Sequence, residues 1–345
     1  MWARPSAGYA AEQPAGLIRQ RYHYVVSERS SMRYPIVTDE QVDAVIGIED
    51  VIPKIERAMR EHANGNLTAP PRLVIDAGAG SLVFTAGALT GQEPVAGFRV
   101  YETFPKDEPG HTQLVVSYDG ESGVMQGIIT GFRVGVIRTG AIGGVAVKHL
   151  AREGADTVAM IGSGTQARSQ LVAANAVRDL EQVRVYSPTR GHRESFSEEM
   201  SKMLSLEVTA VESPRDAIED ADIVISATRS KTPVYDADLL EPGMHVTTLG
   251  PNLAGTNEIE IGVADRSDVI VTDSLAQLDS YGEYTKPYFL SETKHRERIR
   301  DLGDVIVGKR PGRESDEDIT LFCSVGLAGT EVVVANEVFK NLAGQ

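Results

Sequence analysis
The chain has 345 residues, 41% hydrophobic and 24% charged, and 49 acidic against 34 basic side chains give a net charge of −15. That length suits about two domains with substantial cores, at roughly 150 residues each. A single cysteine, Cys323, excludes an intramolecular disulfide framework and a cysteine-clustered zinc site; the acidity argues against nucleic-acid binding by counterion displacement, and no run of about 18 apolar residues supplies a membrane span.

Residues 1–34 scatter Arg4, Arg19, Arg21, Arg29 and Arg33 among Ala, Gly, Pro and Ser. They lack the apolar stretch of a secretory signal and read as an N-terminal extension, so the cytoplasm is the expected compartment. Thr38, three residues before Gln41, predicts a capped helix over residues 41–46, and Asp50 predicts the cap of a second. That second helix buries Ile52, Ile55, Ala58 and Met59. Strands are expected at 73–75, 82–84, 97–100 and 113–118, with a hairpin turn at 119–123. An Ala- and Gly-rich helix is expected over 139–152.

From Asp156 the pattern changes. Short continuous apolar runs at 157–161, 183–186, 208–211, 223–226, 245–249 and 269–271 alternate with helical stretches. Such runs belong to strands buried on both faces, so the fold class is α/β, with a Rossmann-type parallel sheet beside an α+β region. Residues 274–319 read as polar and irregular, the acidic run 314–318 as a solvated loop, and residues 327–342 as a closing helix.

Gly162-Ser163-Gly164-Thr165-Gln166-Ala167 follows the first of these buried runs and opens a helix over 166–177. This is the setting of a dinucleotide phosphate turn. Gly162 permits the turn, Gly164 admits the pyrophosphate, and Ala167 lets helix and strand pack. About 20 residues on, Ser187, Thr189 and Arg190 stand where an NAD site places an acid for the ribose 2′-OH. Hydroxyls and a cation there favour NADP(H), with NAD(H) as the alternative.

Several motifs stand in one order along the chain. They are Pro70-Pro71-Arg72, Gly97-Phe98-Arg99, Ile137-Arg138-Thr139-Gly140-Ala141, the glycine turn, Ala227-Thr228, Leu249-Gly250 and Phe322-Cys323-Ser324-Val325-Gly326. In this ordered set the chain from about Pro35 onward resembles the ornithine cyclodeaminase/mu-crystallin family. The resemblance implies a substrate-binding and dimerisation domain from 35–150 with 320–345, an NAD(P)-binding domain over 151–319, and a homodimer. It implies that Thr139, Ala227, Thr228, Leu249, Gly250, Ser324 and Val325 join the glycine turn in holding the dinucleotide. It also implies that Arg72, Arg99 and Arg138 hold a substrate carboxylate, a task that suits the permanently charged planar guanidinium.

The chain departs from the family at telling places. Arg99 stands where lysine is usual, so proton transfer through that side chain is lost. Asn252 stands where the cyclodeaminases carry a catalytic aspartate, and an amide cannot act as a general base. Thr256 replaces a lysine, and Val83 falls near a missing acid. The expected activity is therefore NAD(P)H-dependent reduction of a small α-imino acid, reversible as amino-acid dehydrogenation, with Arg72, Arg99, Arg138 and Asn252 at the reacting centre and no carboxylate there. An ammonia-releasing ornithine or lysine cyclodeaminase and a non-catalytic NADP-dependent binding protein are the competing readings. No histidine pair has metal-ligand spacing, so no metal is expected. His111 is the one histidine placed to be tested as a proton donor, and Cys323 reads as a packed small residue.

Overall fold
The computed structural model describes residues 34–105 and 110–344, and the expectations for the N-terminal extension lie outside the described residues. The first part runs β1 (Ile36–Val37), α1 (Asp39–Asp43), α2 (Ile48–Ala63), β2 (Leu67–Thr68), β3 (Leu73–Asp76), β4 (Ser81–Leu89), β5 (Val95–Glu102), β6 (Leu114–Asp119), β7 (Met125–Thr130) and α3 (Arg133–Leu150). Its strands form one sheet in the order β1-β7-β6-β5-β4-β2, with β3 also on β4; every pairing is antiparallel except β1 with β7. Thr38 N–H donates to Gln41 Oε1 at 3.0 Å, so the capping box forms, but the helix occupies Asp39–Asp43 rather than the predicted 41–46. Gly47, not Asp50, is the N-cap of α2; Asp50 is the reaching-back partner and accepts from Gly47 N–H at 3.0 Å.

The second part runs β8 (Thr157–Ile161), α4 (Thr165–Asn175), β9 (Gln182–Tyr186), α5 (Arg190–Leu204), β10 (Glu207–Ala210), α6 (Pro214–Ile218), β11 (Ile223–Ser226) and β12 (His245–Thr248). It continues through β13 (Asn252–Leu253), β14 (Thr256–Asn257), α7 (Ile261–Arg266), β15 (Val269–Thr272), α8 (Leu275–Tyr284), β16 (Ile299–Asp301), α9 (Leu302–Ile306), β17 (Thr320–Cys323) and α10 (Thr330–Ala343). An all-parallel sheet forms in the order β10-β9-β8-β11-β12-β17-β15-β16, and β13 pairs with β14 as a separate small ribbon. The six apolar runs supply six of its eight strands, and β8, β11, β12 and β15 are buried almost throughout, as continuous apolar runs require.

Two differences from the sequence reading bear on the site. The sequence reading places Thr320–Cys323 with the first part, whereas it forms β17, hydrogen-bonded between β12 and β15 in the parallel sheet. It carries the chain across that sheet into α10, which packs with α2 and α3 in one apolar core through Val332, Val334 and Val338. The helix expected to start at 139 starts at Arg133, so Arg138 and Thr139 lie within α3 rather than at its entrance. An Asp39 carboxylate accepting from Phe132 N–H and Arg133 N–H supplies that early start.

Candidate active site
The order of the parallel sheet reverses between β8 and β11, so loops leaving those strands diverge and open a crevice at their C-terminal ends. A cleft of about 1030 Å³ lies there. Gly162, Gly164, Thr165 and Gln166 line it from the turn after β8, Ser187 and Thr189 from the turn after β9, Ala227 and Thr228 after β11, and Leu249 and Gly250 after β12. Gly162 has φ +115°, and a Cβ there would collide with the Ala227 carbonyl, so only glycine lets the chain pass. No side chain caps α4 at Gly164, which leaves its first N–H groups and positive dipole end open to an anion.

Five of the expected cofactor residues do not line this cleft: Thr139, Ser324 and Val325 line a smaller cavity beside it, and Ala167 and Arg190 line neither. Ala167 is fully buried in the core shared with Val158 and Met160, as its packing role requires. Arg190 turns away from the cleft, with its side chain 75% exposed and its Nε donating to Glu194 Oε1 at 2.7 Å. The basic side chains that line the cleft are instead Arg168, His192 and Arg229, and no Asp or Glu lines it among the described residues. An (i, i+4) partner within one helix captured Arg190, and that pairing could have been read from the sequence.

A second cavity of about 290 Å³ adjoins the first, since Gln166, Leu249 and Gly250 line both. Arg72, Arg138, Thr139, Asn252, Ser324 and Val325 line it, together with Tyr281, Tyr288 and Gly326. Arg72 arrives from the loop before β3 and Arg138 from the second turn of α3. Their guanidiniums meet at Gly326, where φ is +88° and a Cβ would collide with Arg72 Nη2 and lie 3.0 Å from Arg138 Nη1. Arg72 Nη2 donates to the Val325 carbonyl, and its Nε is buried without a hydrogen-bond partner among the described residues.

Arg99 does not line this cavity. It extends from β5, lies 4.7 Å over the Tyr101 ring, and donates through Nε to Gln113 Oε1 at 3.0 Å and through Nη1 to Glu331 Oε1 at 3.2 Å. The same Glu331 oxygen stands 3.4 Å from Arg138 Nε. Arg99 thus backs Arg138 through a shared carboxylate. Burial, only partly offset by Glu331, draws the Arg99 pKa down. Burial pushes the Glu331 carboxyl up, but Arg138 and Arg99 outweigh it and hold it below the usual carboxylate range.

Asp273, after β15, accepts from Val325 N–H at 2.8 Å and from Gly326 N–H at 2.9 Å, and so shapes the turn on which the two guanidiniums rest. Burial raises its pKa against the pull of those N–H groups. The sequence reading placed no carboxylate at this centre. No Asp or Glu lines the cavity among the described residues, but Glu331 and Asp273, which the sequence reading did not place, stand against the arginines behind it. With both ionised, three guanidiniums and two carboxylates leave one net positive charge, which matches a single carboxylate ligand. The available signals were an acid inside the apolar start of α10 and an acid ending a buried strand.

Asn252, on β13 and 3% exposed, donates through Nδ2 to Thr248 Oγ1 at 2.6 Å, while its Oδ1 has no partner among the described residues. Behind it, fully buried Glu258 accepts from Thr228 N–H, Thr228 Oγ1, Thr248 Oγ1, Leu249 N–H and Gly250 N–H, and so ties together the loops after β11 and β12. Sequence reasoning missed Glu258, which has no local motif. His111 pairs with Glu102 Oε1 at 3.1 Å and lines neither cavity. Cys323 is fully buried, and burial pushes its thiol up to about 12, as suits a packed side chain. No group of His, Cys, Asp or Glu could hold a metal among the described residues, and no described helix is long and apolar enough to cross a membrane.

Known proteins resemble this chain in sequence and in fold. The sequence is 30% identical over 310 residues to an alanine dehydrogenase of Archaeoglobus fulgidus, covering 89% of this chain and 94% of that one. It is 33% identical over 233 residues to a delta(1)-pyrroline-2-carboxylate reductase of Bacillus cereus, covering 67% and 71%. The fold superposes with a TM-score of 0.77, at 28% identity and over 90% and 97% of the two chains, on the Thermococcus litoralis delta(1)-pyrroline-2-carboxylate reductase solved with NADH and L-proline. The profile of the ornithine cyclodeaminase/mu-crystallin family matches residues 33–345. This chain belongs to the ornithine cyclodeaminase/mu-crystallin family, as an NAD(P)-dependent oxidoreductase of that family.

Proposed function
We propose that the protein reduces a small α-imino acid, a ketimine or a cyclic imine such as a pyrroline-2-carboxylate, and runs in reverse as an amino-acid dehydrogenase. One observation carries this reading: an unpaired buried donor, Arg72 Nε, and an unpaired buried acceptor, Asn252 Oδ1, belong to the walls of one small cavity beside the dinucleotide cleft. An imino acid supplies the complement, a carboxylate for the guanidiniums and an N–H for the amide oxygen. Bound in the cleft, the reduced nicotinamide supplies the hydride. Arg72 and Arg138 hold the carboxylate, Glu331 and Arg99 hold Arg138, and Asn252 holds the nitrogen. A protonated imine needs no further acid from the protein, so positioning carries much of the acceleration.

The cleft fits a dinucleotide by its glycine turn and uncapped helix. Its lack of a lining carboxylate, with Arg168, His192 and Arg229 in the wall, supports NADP(H) over NAD(H). In this reading residues 35–150 and 324–345 build the substrate and dimerisation part, and 151–323 the dinucleotide part. Leu73, Ile75 and Leu82, 60%, 47% and 39% exposed on the paired strands β3 and β4, support a homodimer joined through that sheet edge.

The test is a screen of cyclic and linear imines, and of 2-oxo acids with ammonia, scored separately for NADPH, NADH and free ammonia. Imine-dependent NADPH oxidation is the expected result. Ammonia release from ornithine or lysine without net cofactor change would make the protein a cyclodeaminase. Tight NADPH binding with no turnover would make it a binding protein.

A further inference from the structure
The buried chain behind the small cavity decides what kind of atom it accepts. Glu258 is fully buried, and a carboxylate only accepts hydrogen bonds. The Thr248 hydroxyl, 2.7 Å from Glu258 Oε1, therefore commits its single hydrogen to that oxygen. Toward Asn252, 2.6 Å away on the other side, the same hydroxyl can only accept. The group facing it must then be the Asn252 amide NH₂, which leaves Oδ1 as the unpaired atom of a residue that lines the cavity. An asparagine on its own can turn either way, and this one is fixed by the polarity of its neighbours.

We infer that Glu258 and Thr248 are positioning residues that hold Asn252 as an acceptor and so make the cavity selective for ligands that carry N–H at the position next to the carboxylate-bearing carbon. An iminium or secondary ammonium satisfies Oδ1. A ketone or ether oxygen in that place sets lone pair against lone pair in a buried site, where the unmet acceptor is costly. The inference rests on the imino-acid reading above and adds to it that the acceptor polarity is set two residues away from the ligand, not by Asn252 itself.

The experiment measures equilibrium binding of L-proline and of tetrahydrofuran-2-carboxylate to the full chain loaded with NADPH, which leaves both ligands unreacted. The two differ in one ring atom, N–H against O. Wild-type protein is expected to prefer proline at least tenfold. Thr248→Val removes the hydroxyl that reads the Glu258 polarity, frees the amide to turn, and is expected to shrink that preference at least fivefold, while Thr248→Ser retains it. The positive charge of proline is the same in every variant, so only the orientation of Asn252 changes between them. Asn252→Ala gives the same collapse by a second route, should Thr248→Val fail to fold. Equal binding of both ligands by the wild type, or a preference unchanged in either Thr248→Val or Asn252→Ala, overturns the inference while imine turnover leaves the functional reading standing. Binding of neither ligand, together with no imine turnover, overturns both.

Discussion
The dinucleotide cleft and the small cavity beside it share a wall but are built in opposite ways. The cleft is made of short loops, each leaving the end of a buried strand, and its chemistry lies in backbone geometry: a glycine at φ +115° and an uncapped helix end. The cavity is made of side chains from segments far apart in the chain. Arg72, Arg138, Asn252 and Gly326 meet there, and Arg99, Asp273 and Glu331 stand behind them. A backbone site tolerates change in side chains that only flank it. A site of converging buried charges does not, because each charge depends on its partner to offset its desolvation.

That contrast sets the order of the expected effects. Arg138→Ala is the largest: it removes the cation proposed to bind the substrate carboxylate and leaves Glu331 half unpaired, and on the proposed function kcat/KM for the best imino acid should fall by about a thousandfold, or ~4 kcal/mol. Dinucleotide affinity, measured by fluorescence titration, should change little. If both fall together, the two regions are one site and the comparison fails. Glu331→Ala leaves Arg99 and Arg138, each 8% exposed, facing one another without their shared carboxylate. Breaking such a buried pair should lower unfolding free energy by roughly 3 kcal/mol, read from denaturant titration; a loss under about 0.5 kcal/mol would mean that solvent already screens these charges.

The frame common to both regions carries a pH dependence. His245 on β12 is fully buried between Thr320 Oγ1 at 2.9 Å and Thr247 Oγ1 at 3.0 Å, and burial, with Arg313 and Arg178 adding, holds its pKa down to about 3. An unfolded histidine takes a proton near pH 6.5. Stability from this residue is therefore complete above that pH and is lost as pH falls from 6.5 toward 3, by about 2 kcal/mol at pH 5. Unfolding titrations at pH 7 and pH 5 should show the drop in the wild type and a flatter response in His245→Gln. Equal slopes would remove His245 as the cause.

The smallest effect sharpens the contrast from the other side. Arg190→Ala should alter NADPH affinity by less than about twofold, since the side chain is 75% exposed and held by Glu194. A tenfold loss of NADPH affinity with NADH unaffected would show that Arg190 swings into the cleft when the 2′-phosphate arrives.

Much of this molecule was legible before any coordinates. Four of the six runs, β8, β11, β12 and β15, are strands covered on both faces and so apolar nearly throughout, while β9 and β10 bury alternate residues, and the glycine turn stands where it does because a phosphate site needs bare backbone at a strand's end. Those signals are local, so sequence by itself determined the α/β class and the dinucleotide cleft, while only the resemblance to the family singled out Arg72, Arg138 and Asn252, which line the small cavity. Other decisions belonged to tertiary structure alone. Which guanidinium touches the cavity and which stands behind it, that Glu331 from the last helix and Asp273 from a distant strand would meet these cations, and that Glu258 would set the polarity of Asn252 all depend on contacts between segments tens to hundreds of residues apart. Thr320–Cys323 joined the parallel sheet for the same reason: an apolar tetrapeptide fits either core, and only the open strand position between β12 and β15 selects one. Charge and hydrogen-bond partners act over a few ångströms of space, and distance along the chain does not encode them.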